Sequence, residues 1–293
     1  MRDGVLFVAT GAGYRTLAAR AAASVARVSP GLPIDLWTDA PFADPAFAEV
    51  HLLETVWFRS RIDAMARTRF ERTLHLDADV LAVADLRDVF EVLDRFDIAL
   101  AHDQRRNSPA ANAVWRRPLP NAFPQFNGGV IAYRRSAPVL AFLAAWAEAL
   151  RESGMKRDQP ALRELLWESD LRIATLPPEY NLLDKGAIAR WDRFQTAPRL
   201  VHHYRFHKHF TGGRREVATL TDLLGPMTAA RLPLILAADR PLAALHGTEP
   251  RLPSPGGRAS AFLRGLAGVP GHAARVAAFP LRRLWRALTG GPA

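Results

Sequence analysis

Two carboxylates stand two residues apart at the end of an apolar run: Asp77 and Asp79, in Arg72-Thr73-Leu74-His75-Leu76-Asp77-Ala78-Asp79-Val80-Leu81. The run has the β-branched and aliphatic character of a buried strand. Strand alternation sends both carboxylates to one face, where a single divalent cation can meet the two. Leaving such a pair buried costs several kcal/mol unless a cation or a proton compensates it, and the pattern suggests a metal site. The competing reading is a solvated turn in which one aspartate caps the following helix.

Three further groups have the right chemistry. Asn127 precedes Gly128 and Gly129 at the start of an apolar strand, Gln125 to Tyr133, where two glycines let a ligand approach the backbone while the amide both donates and accepts. Asp158 and Gln159 open a helix over Ala161 to Glu168; Asp158 either caps that helix or presents its carboxylate to a sugar. Four of the nine histidines, His202, His203, His207 and His209, fall within eight residues at the end of the short strand Arg199 to Tyr204. One neutral imidazole there is available to a metal, with Arg205 and Lys208 nearby for phosphate.

The elements that must carry these groups read as α/β. Gly4 to Thr10 is the continuous apolar run of a strand buried on both faces. A helix over Tyr14 to Val28 follows, broken at Pro30-Gly31-Leu32-Pro33, and then a second strand, Ile34 to Thr38. A βαβ unit places ligands at the carboxyl ends of its strands, where Thr10 and Tyr14 stand. Tyr14 either holds a nucleotide or packs on the sheet. Arg61 to Phe70 reads as a helix with Arg59, Arg61, Arg67 and Arg69 on or beside it, their planar forks suited to a diphosphate. Helices are predicted over 85–93 and 137–152, a strand over 97–101, and a long mobile loop over Gln104 to Pro124, of the length that covers a site. Leu176 to Leu182 reads as a rigid extended segment.

Composition narrows the classes. With 293 residues and 49% apolar content the chain has ample core for a globular α/β protein. The absence of Cys excludes disulfides and thiolate metal sites, leaving carboxylate, imidazole or phosphate oxygen as ligands. The net charge of +10 is concentrated: seven Arg and no Asp, Glu or Lys follow Pro250, while residues 1–249 hold 32 basic and 29 acidic residues, a net of +3. The expected organisation is therefore a catalytic domain over 1–250 and a basic, Arg-rich amphipathic extension over 251–293. Residues 258–288 within it suit an anionic membrane surface. Nucleic acid is not an expected partner, because stacking aromatics apart from Trp285 are missing from that tail. No secretory segment or apolar run of spanning length is read, so the expected location is the cytoplasm, peripheral on the inner face of the membrane.

In their order along the chain these segments resemble GT-A nucleotide-sugar glycosyltransferases, especially the glycogenin-like and lipopolysaccharide galactosyltransferase-like group. The resemblance covers residues 4 to about 210 and rests on Tyr14, Asp77-Ala78-Asp79 with the following helix, Phe126-Asn127-Gly128-Gly129, Asp158-Gln159, Pro177-Pro178-Glu179-Tyr180-Asn181 and the late histidines. It implies a GT-A fold with a mostly parallel central sheet flanked by helices. It also implies a bacterial enzyme of cell-envelope polysaccharide synthesis that moves a sugar, with retention, from a nucleotide-diphosphate sugar of the UDP type to a glycan or lipid-linked saccharide. Mn²⁺ or Mg²⁺ would be held by Asp77, Asp79 and His203, with His202 as the alternative because the histidine is doubled. Asn127 and Asp158 would contact the donor sugar, Gln159 would lie near the anomeric carbon, and Thr10 and Tyr14 would hold the base. Arg61 and Lys208 would meet the diphosphate, with Ala78 and Gly128 beside the donor. The chain departs from the group after the late histidine, where Tyr204-Arg205-Phe206-His207-Lys208 lacks the usual Gly and the Pro-Trp that follows Lys.

Two other functions fit parts of the chain. Gly11-Ala12-Gly13-Tyr14-Arg15-Thr16-Leu17 echoes the glycine-rich signature of sugar-phosphate nucleotidyltransferases without its Pro and downstream Lys. A non-catalytic glycan- or membrane-binding protein on a GT-A scaffold is the third reading, opposed by the intact Asp77, Asp79, Asn127 and Asp158.

Overall fold

The apolar run at the N-terminus forms β1 (Asp3–Ala9), and the alanine-rich stretch after it forms α1 (Ala12–Val28), whose Leu17, Ala18, Ala21, Ala22 and Val25 are buried. In this computed structural model, which describes residues 2–192, 194–212 and 215–251, the chain continues as β2 (Ile34–Thr38), β3 (Glu49–Leu52), α2 (Ser60–Ala66), β4 (Arg72–Leu76), β5 (Val80–Ala82) and α3 (Asp88–Val92). Then come β6 (Ile98–His102), β7 (Phe126–Arg134), α4 (Ala137–Ser153), α5 (Gln159–Glu168), β8 (Ile173–Leu176), α6 (Gly186–Arg190), β9 (Leu200–His202), α7 (Leu220–Leu224), α8 (Pro226–Ala238) and α9 (Arg240–Leu245). The amphipathic extension expected over 251–293, with its membrane-binding residues 258–288, lies outside the described residues apart from Arg251.

Seven strands form one sheet in the order β3-β2-β1-β4-β7-β6-β8. β3, β2, β1 and β4 run parallel, β7 pairs antiparallel with both β4 and β6, and β8 is parallel to β6. The sheet is thus mostly parallel, as expected, with one reversed strand in its middle. That reversal matters for function. It brings the start of β7, with Asn127, Gly128 and Gly129, to the carboxyl end of β4, where the Asp77 N–H donates to the Gly129 carbonyl at 2.8 Å.

Helices α2, α4 and α5 supply one apolar cluster with the sheet: Ile62, Met65, Leu143, Trp146, Leu150 and Leu162 close on Ile131 and Tyr133. Each such large side chain stabilises the fold by about 1.5–3 kcal/mol on full burial. The Tyr133 hydroxyl donates to the Met65 carbonyl at 2.7 Å, so the one polar atom of that aromatic is satisfied. On α1, Ser24 Oγ accepts the Ala82 N–H at 2.9 Å and ties β5 to the helix. β5 pairs antiparallel with β9 in a separate two-stranded ribbon, Val80 opposite His202.

Some boundaries differ from expectation for local reasons. The helix read over 61–70 closes at Ala66, because Thr68 Oγ accepts the Phe70 N–H and turns the chain into β4. Leu176 to Leu182 is not one extended segment: Leu176 ends β8, and Pro178 opens a 3₁₀ turn, Pro178–Asn181. The helix read from Asp85 begins at Asp88, since the buried Asp85 carboxylate accepts Ser29 Oγ–H and the Arg87 N–H in a turn of its own.

Contacts divide the chain into two units, one of residues 1–185 and 196–217, the other of 186–195 and 218 onward. All the site residues named above belong to the first. In the second, Thr219 and Asp222 form a reciprocal cap on α7, and Arg231 of α8 donates to the carbonyls of Ala189 and Trp191.

Candidate active site

The segment linking β4 to β5 carries the two aspartates, and the ribbon partner β9 delivers a histidine to them. Strand alternation decides which of the doubled histidines arrives. His202 lies opposite Val80 and turns its Nε2 to Asp79 Oδ1 at 3.1 Å. The ligand atoms of Asp77, Asp79 and His202 all lie within 4.8 Å of one another. His203, expected as the metal ligand, is not part of this group. Its Nδ1 accepts the Arg205 N–H at 3.2 Å and its ring stacks on Tyr204.

Charge is balanced from several sides. Burial pushes the Asp77 carboxyl up, but the Arg61 guanidinium beside it more than reverses this, with His75 and His202 assisting, so Asp77 stays ionised well below the usual range. Asp79 is likewise held low against burial, by the charge of His202 and by hydrogen bonds from His202 and His207. Burial disfavours the His202 imidazolium, yet the charge of Asp79, its hydrogen bond and the charge of Asp77 raise its pKa overall. His203 moves the opposite way, down to about 4, through burial and then the positive charges of Lys185, Arg105 and Arg205.

Arg61, at the start of α2, bridges the two carboxylate centres. Its Nη1 is 2.6 Å from Asp77 Oδ1, its Nη2 bonds Asp158, and its guanidinium lies 5.8 Å from the Trp146 ring centroid. Asp158 also pairs with Arg59 at 3.0 Å and is only 4% exposed. Although Asp158 occupies the position before α5, its side chain makes no capping bond; its carbonyl instead accepts the Trp146 indole N–H. Gln159, the first residue of α5, accepts a hydrogen bond from Gln125 at 3.3 Å.

Asn127 Oδ1 accepts the Gly129 N–H and the Asn181 amide, both at 3.0 Å. Asn181, fully buried in the 3₁₀ turn after β8, sets its own Oδ1 2.8 Å from His202 Nδ1. It was not among the expected site residues. Both glycines are there for space: a Cβ on Gly129 would stand 2.4 Å from His202 Cε1 and 2.7 Å from Asp77 Oδ2, and one on Gly128 would stand 2.6 Å from Arg61 Nη2.

In the first turn of α1, just beyond β1, Tyr14 is half-exposed, with burial and the charges of Asp79 and Asp77 raising its pKa. Its ring lies 6.0 Å from that of His207 and 5.3 Å from that of Phe210. His207, read only as one of the histidine cluster, contacts Asp79 Oδ2 through Nδ1 at 3.0 Å, so the atypical stretch after the late histidine still reaches the aspartates. Lys208 opens the next 3₁₀ turn, and Thr10 follows the last residue of β1. The glycine-rich opening of α1 is not a phosphate cradle. The Gly11 N–H is taken by the Asp39 carboxylate at 2.9 Å, and Gly13 lies against the Phe210 ring.

The donor set fits a divalent cation: two ionised carboxylates and one imidazole, brought together because Gly129 has no Cβ to hold His202 and Asp77 apart. Together with the reversed strand of the sheet, the arrangement defines a GT-A glycosyltransferase. A family model for nucleotide-diphospho-sugar transferases matches residues 19–213, and the chain belongs to that family. No curated protein sequence matches it significantly. Solved structures share its fold. The galactosyltransferase LgtC in complex with donor and acceptor sugar analogs superposes with a TM-score of 0.50 at 13% identity over 69% of this chain and 87% of that one. The apo form of the glycosyltransferase GlyE of Streptococcus pneumoniae TIGR4 gives 0.53 at 16% identity, over 80% of this chain and 62% of that one.

Proposed function

We propose that the chain is a metal-dependent, retaining hexosyltransferase that takes its sugar from a UDP-type donor and passes it to a saccharide or lipid-linked acceptor of a bacterial cell envelope. The observation that carries the metal-dependent reading is the convergence of Asp77, Asp79 and His202 within 4.8 Å, which Gly129 permits because a Cβ there would collide with His202 and Asp77. Mn²⁺ or Mg²⁺ bound there would supply Lewis-acid neutralisation of the departing diphosphate.

The chain's own residues do the rest. Tyr14 and Thr10, at the carboxyl end of β1, flank the base. Arg61, now shared by Asp77 and Asp158, exchanges one of these partners for a phosphate oxygen when donor enters, with Lys208 assisting and Ala78 and Gly128 beside the donor. Asp158 and Asn127 hold sugar hydroxyls, and Gln159 lies beside the anomeric carbon. In the transfer, the bond from the anomeric carbon to the diphosphate oxygen breaks and its electron pair leaves with the diphosphate. The acceptor oxygen forms the new bond, and its proton passes to the departing diphosphate. The Asp158 carboxylate is engaged by the guanidinium groups of Arg59 and Arg61, which holds it away from attack on the anomeric carbon and favours this same-face route and retention.

The test is release of nucleoside diphosphate from a panel of nucleotide sugars with and without Mn²⁺, comparing wild type with Asp79→Ala. Metal-dependent hydrolysis of one donor, lost in the variant, supports the reading and names the donor. Failure of every donor to bind in any metal sinks it. The anomeric configuration of the product, read by NMR, decides retention.

We further propose a catalytic domain over 1–250 and peripheral membrane attachment through the basic residues 258–288. Among the described residues no helix is long and apolar enough to cross a membrane. Unchanged partitioning to anionic liposomes after deleting residues 253–293 would remove the attachment.

A further inference from the structure

β4 carries a histidine that the fold leaves idle. His75 stands beside Leu6 of β1 and Ile131 of β7, both members of the apolar cluster that α2 closes with Ile62 and Met65. Two residues earlier on the same face, the Thr73 hydroxyl is paired with that of Thr68 at 3.1 Å. His75 has no such partner. It is 1% exposed, and neither ring nitrogen makes a hydrogen bond. A buried polar ring left unbonded costs the fold stability that a leucine in its place would not.

What His75 faces is Asp77. Its Nε2 stands 3.6 Å from Asp77 Oδ1, too far for a formed hydrogen bond. Oδ1 is meanwhile held by Arg61 Nη1 at 2.6 Å. The other oxygen, Oδ2, lies on the side of Gly129 and His202: it is 2.7 Å, and His202 Cε1 2.4 Å, from the point a Gly129 Cβ would occupy. Asp77 thus has one oxygen turned to Arg61 and His75 and one turned to the histidine of the cation site. An imidazole carries an N–H in either protonation state, and a carboxylate oxygen opposite Nε2 is its natural acceptor.

We propose that His75 is a positioning residue for Asp77. When a nucleoside diphosphate draws Arg61 away, the His75 N–H takes over Oδ1 and keeps Oδ2 turned towards His202. The role rests on the metal-dependent transferase reading above, in which Arg61 exchanges a carboxylate partner for a phosphate oxygen. Closing the gap from 3.6 Å to a bond of about 2.9 Å takes only a small adjustment of the Asp77 side chain. Without it, the departure of Arg61 would leave Oδ1 buried with no donor and the carboxylate free to turn.

Calorimetry on the full chain tests this by measuring Mn²⁺ binding alone and at saturating UDP in wild type, His75→Leu and His75→Gln. With UDP, His75→Leu is expected to bind Mn²⁺ at least about tenfold more weakly than wild type. His75→Gln, whose amide again offers an N–H, is expected to stay within about threefold. Without UDP, Arg61 still holds Oδ1, and His75→Leu is expected within about threefold of wild type. In ¹⁵N-histidine-labelled wild type, the His75 ring N–H, identified by its loss in His75→Gln, is expected to move downfield on adding UDP with Mg²⁺. An unmoved resonance, a loss in His75→Leu that is equal with and without UDP, or a glutamine variant as weak as the leucine one overturns the role. Wild-type Mn²⁺ binding with an indifferent His75→Leu removes His75 alone, whereas absence of Mn²⁺ binding by the wild type in both conditions removes the metal-dependent reading as well.

Discussion

His202 Nδ1 lies 2.8 Å from Asn181 Oδ1, an oxygen that can only accept, since the Asn181 amide nitrogen is already donating to Asn127 at 3.0 Å. The proton is therefore on Nδ1, and Nε2 is the nitrogen turned to Asp79. Replacing Asn181 by Ala frees the ring to rotate and to change tautomer. Mn²⁺ affinity by calorimetry is expected to fall about 10–100-fold. An unchanged affinity would show that Asn181 is only packing.

The two histidines are separable by substitution. His202→Gln is expected to abolish tight Mn²⁺ binding, whereas His203→Gln is expected to leave it within about a factor of three, a ratio of under about 0.7 kcal/mol. Equal losses would mean that the β5–β9 register is displaced in solution.

Metal affinity should depend on pH through His202, whose pKa is raised above the ordinary 6.5 despite burial, by Asp79 and Asp77. Below that raised value a proton occupies Nε2 and must be released on binding. Affinity is then expected to drop about tenfold per pH unit on the acid side and to level off above it. Calorimetry in buffers of different ionisation enthalpy counts the proton.

His203 gives a stability effect of definite sign. Its folded pKa of about 4 lies below the ordinary 6.5, so the unfolded chain binds the extra proton first. The stability that neutral His203 supplies is complete above pH 6.5 and is lost as pH falls towards about 4. Urea unfolding between those limits should show a shallower pH slope in His203→Phe than in wild type.

Arg61→Met removes the cation from between Asp77 and Asp158, leaving Asp158 with Arg59 alone. A loss of about 3–5 kcal/mol is expected from urea unfolding of the metal-free protein. Saturating Mn²⁺ should restore part of it by compensating Asp77.

Much of this site was legible in the residues because its parts sit at strand ends with unmistakable punctuation. The apolar run into Asp77, the glycine pair at the head of β7 and the Asp158-Gln159 opening of α5 each declare themselves locally. The choice between His202 and His203 does not. It depends on the parity of a three-residue strand whose register is set by Val80, far away in sequence. Asn181 was hidden for a similar reason. Two prolines before it suggest extension, and only the turn that follows β8 swings its amide under His202. His207 carries no local signal beyond belonging to a histidine-rich stretch.

The pairing of β5 with β9 also bears on how the protein acquires activity. His207 reaches Asp79 across 128 residues of chain, and the same closure brings in His202. Equilibrium stability barely registers such a span, since each doubling of a closed loop costs only about 0.6 kcal/mol. The search time does register it. During refolding, secondary structure and the parallel half of the sheet are therefore expected to recover before the cation site exists, so that Mn²⁺ binding lags the far-ultraviolet signal and marks the last productive step of folding.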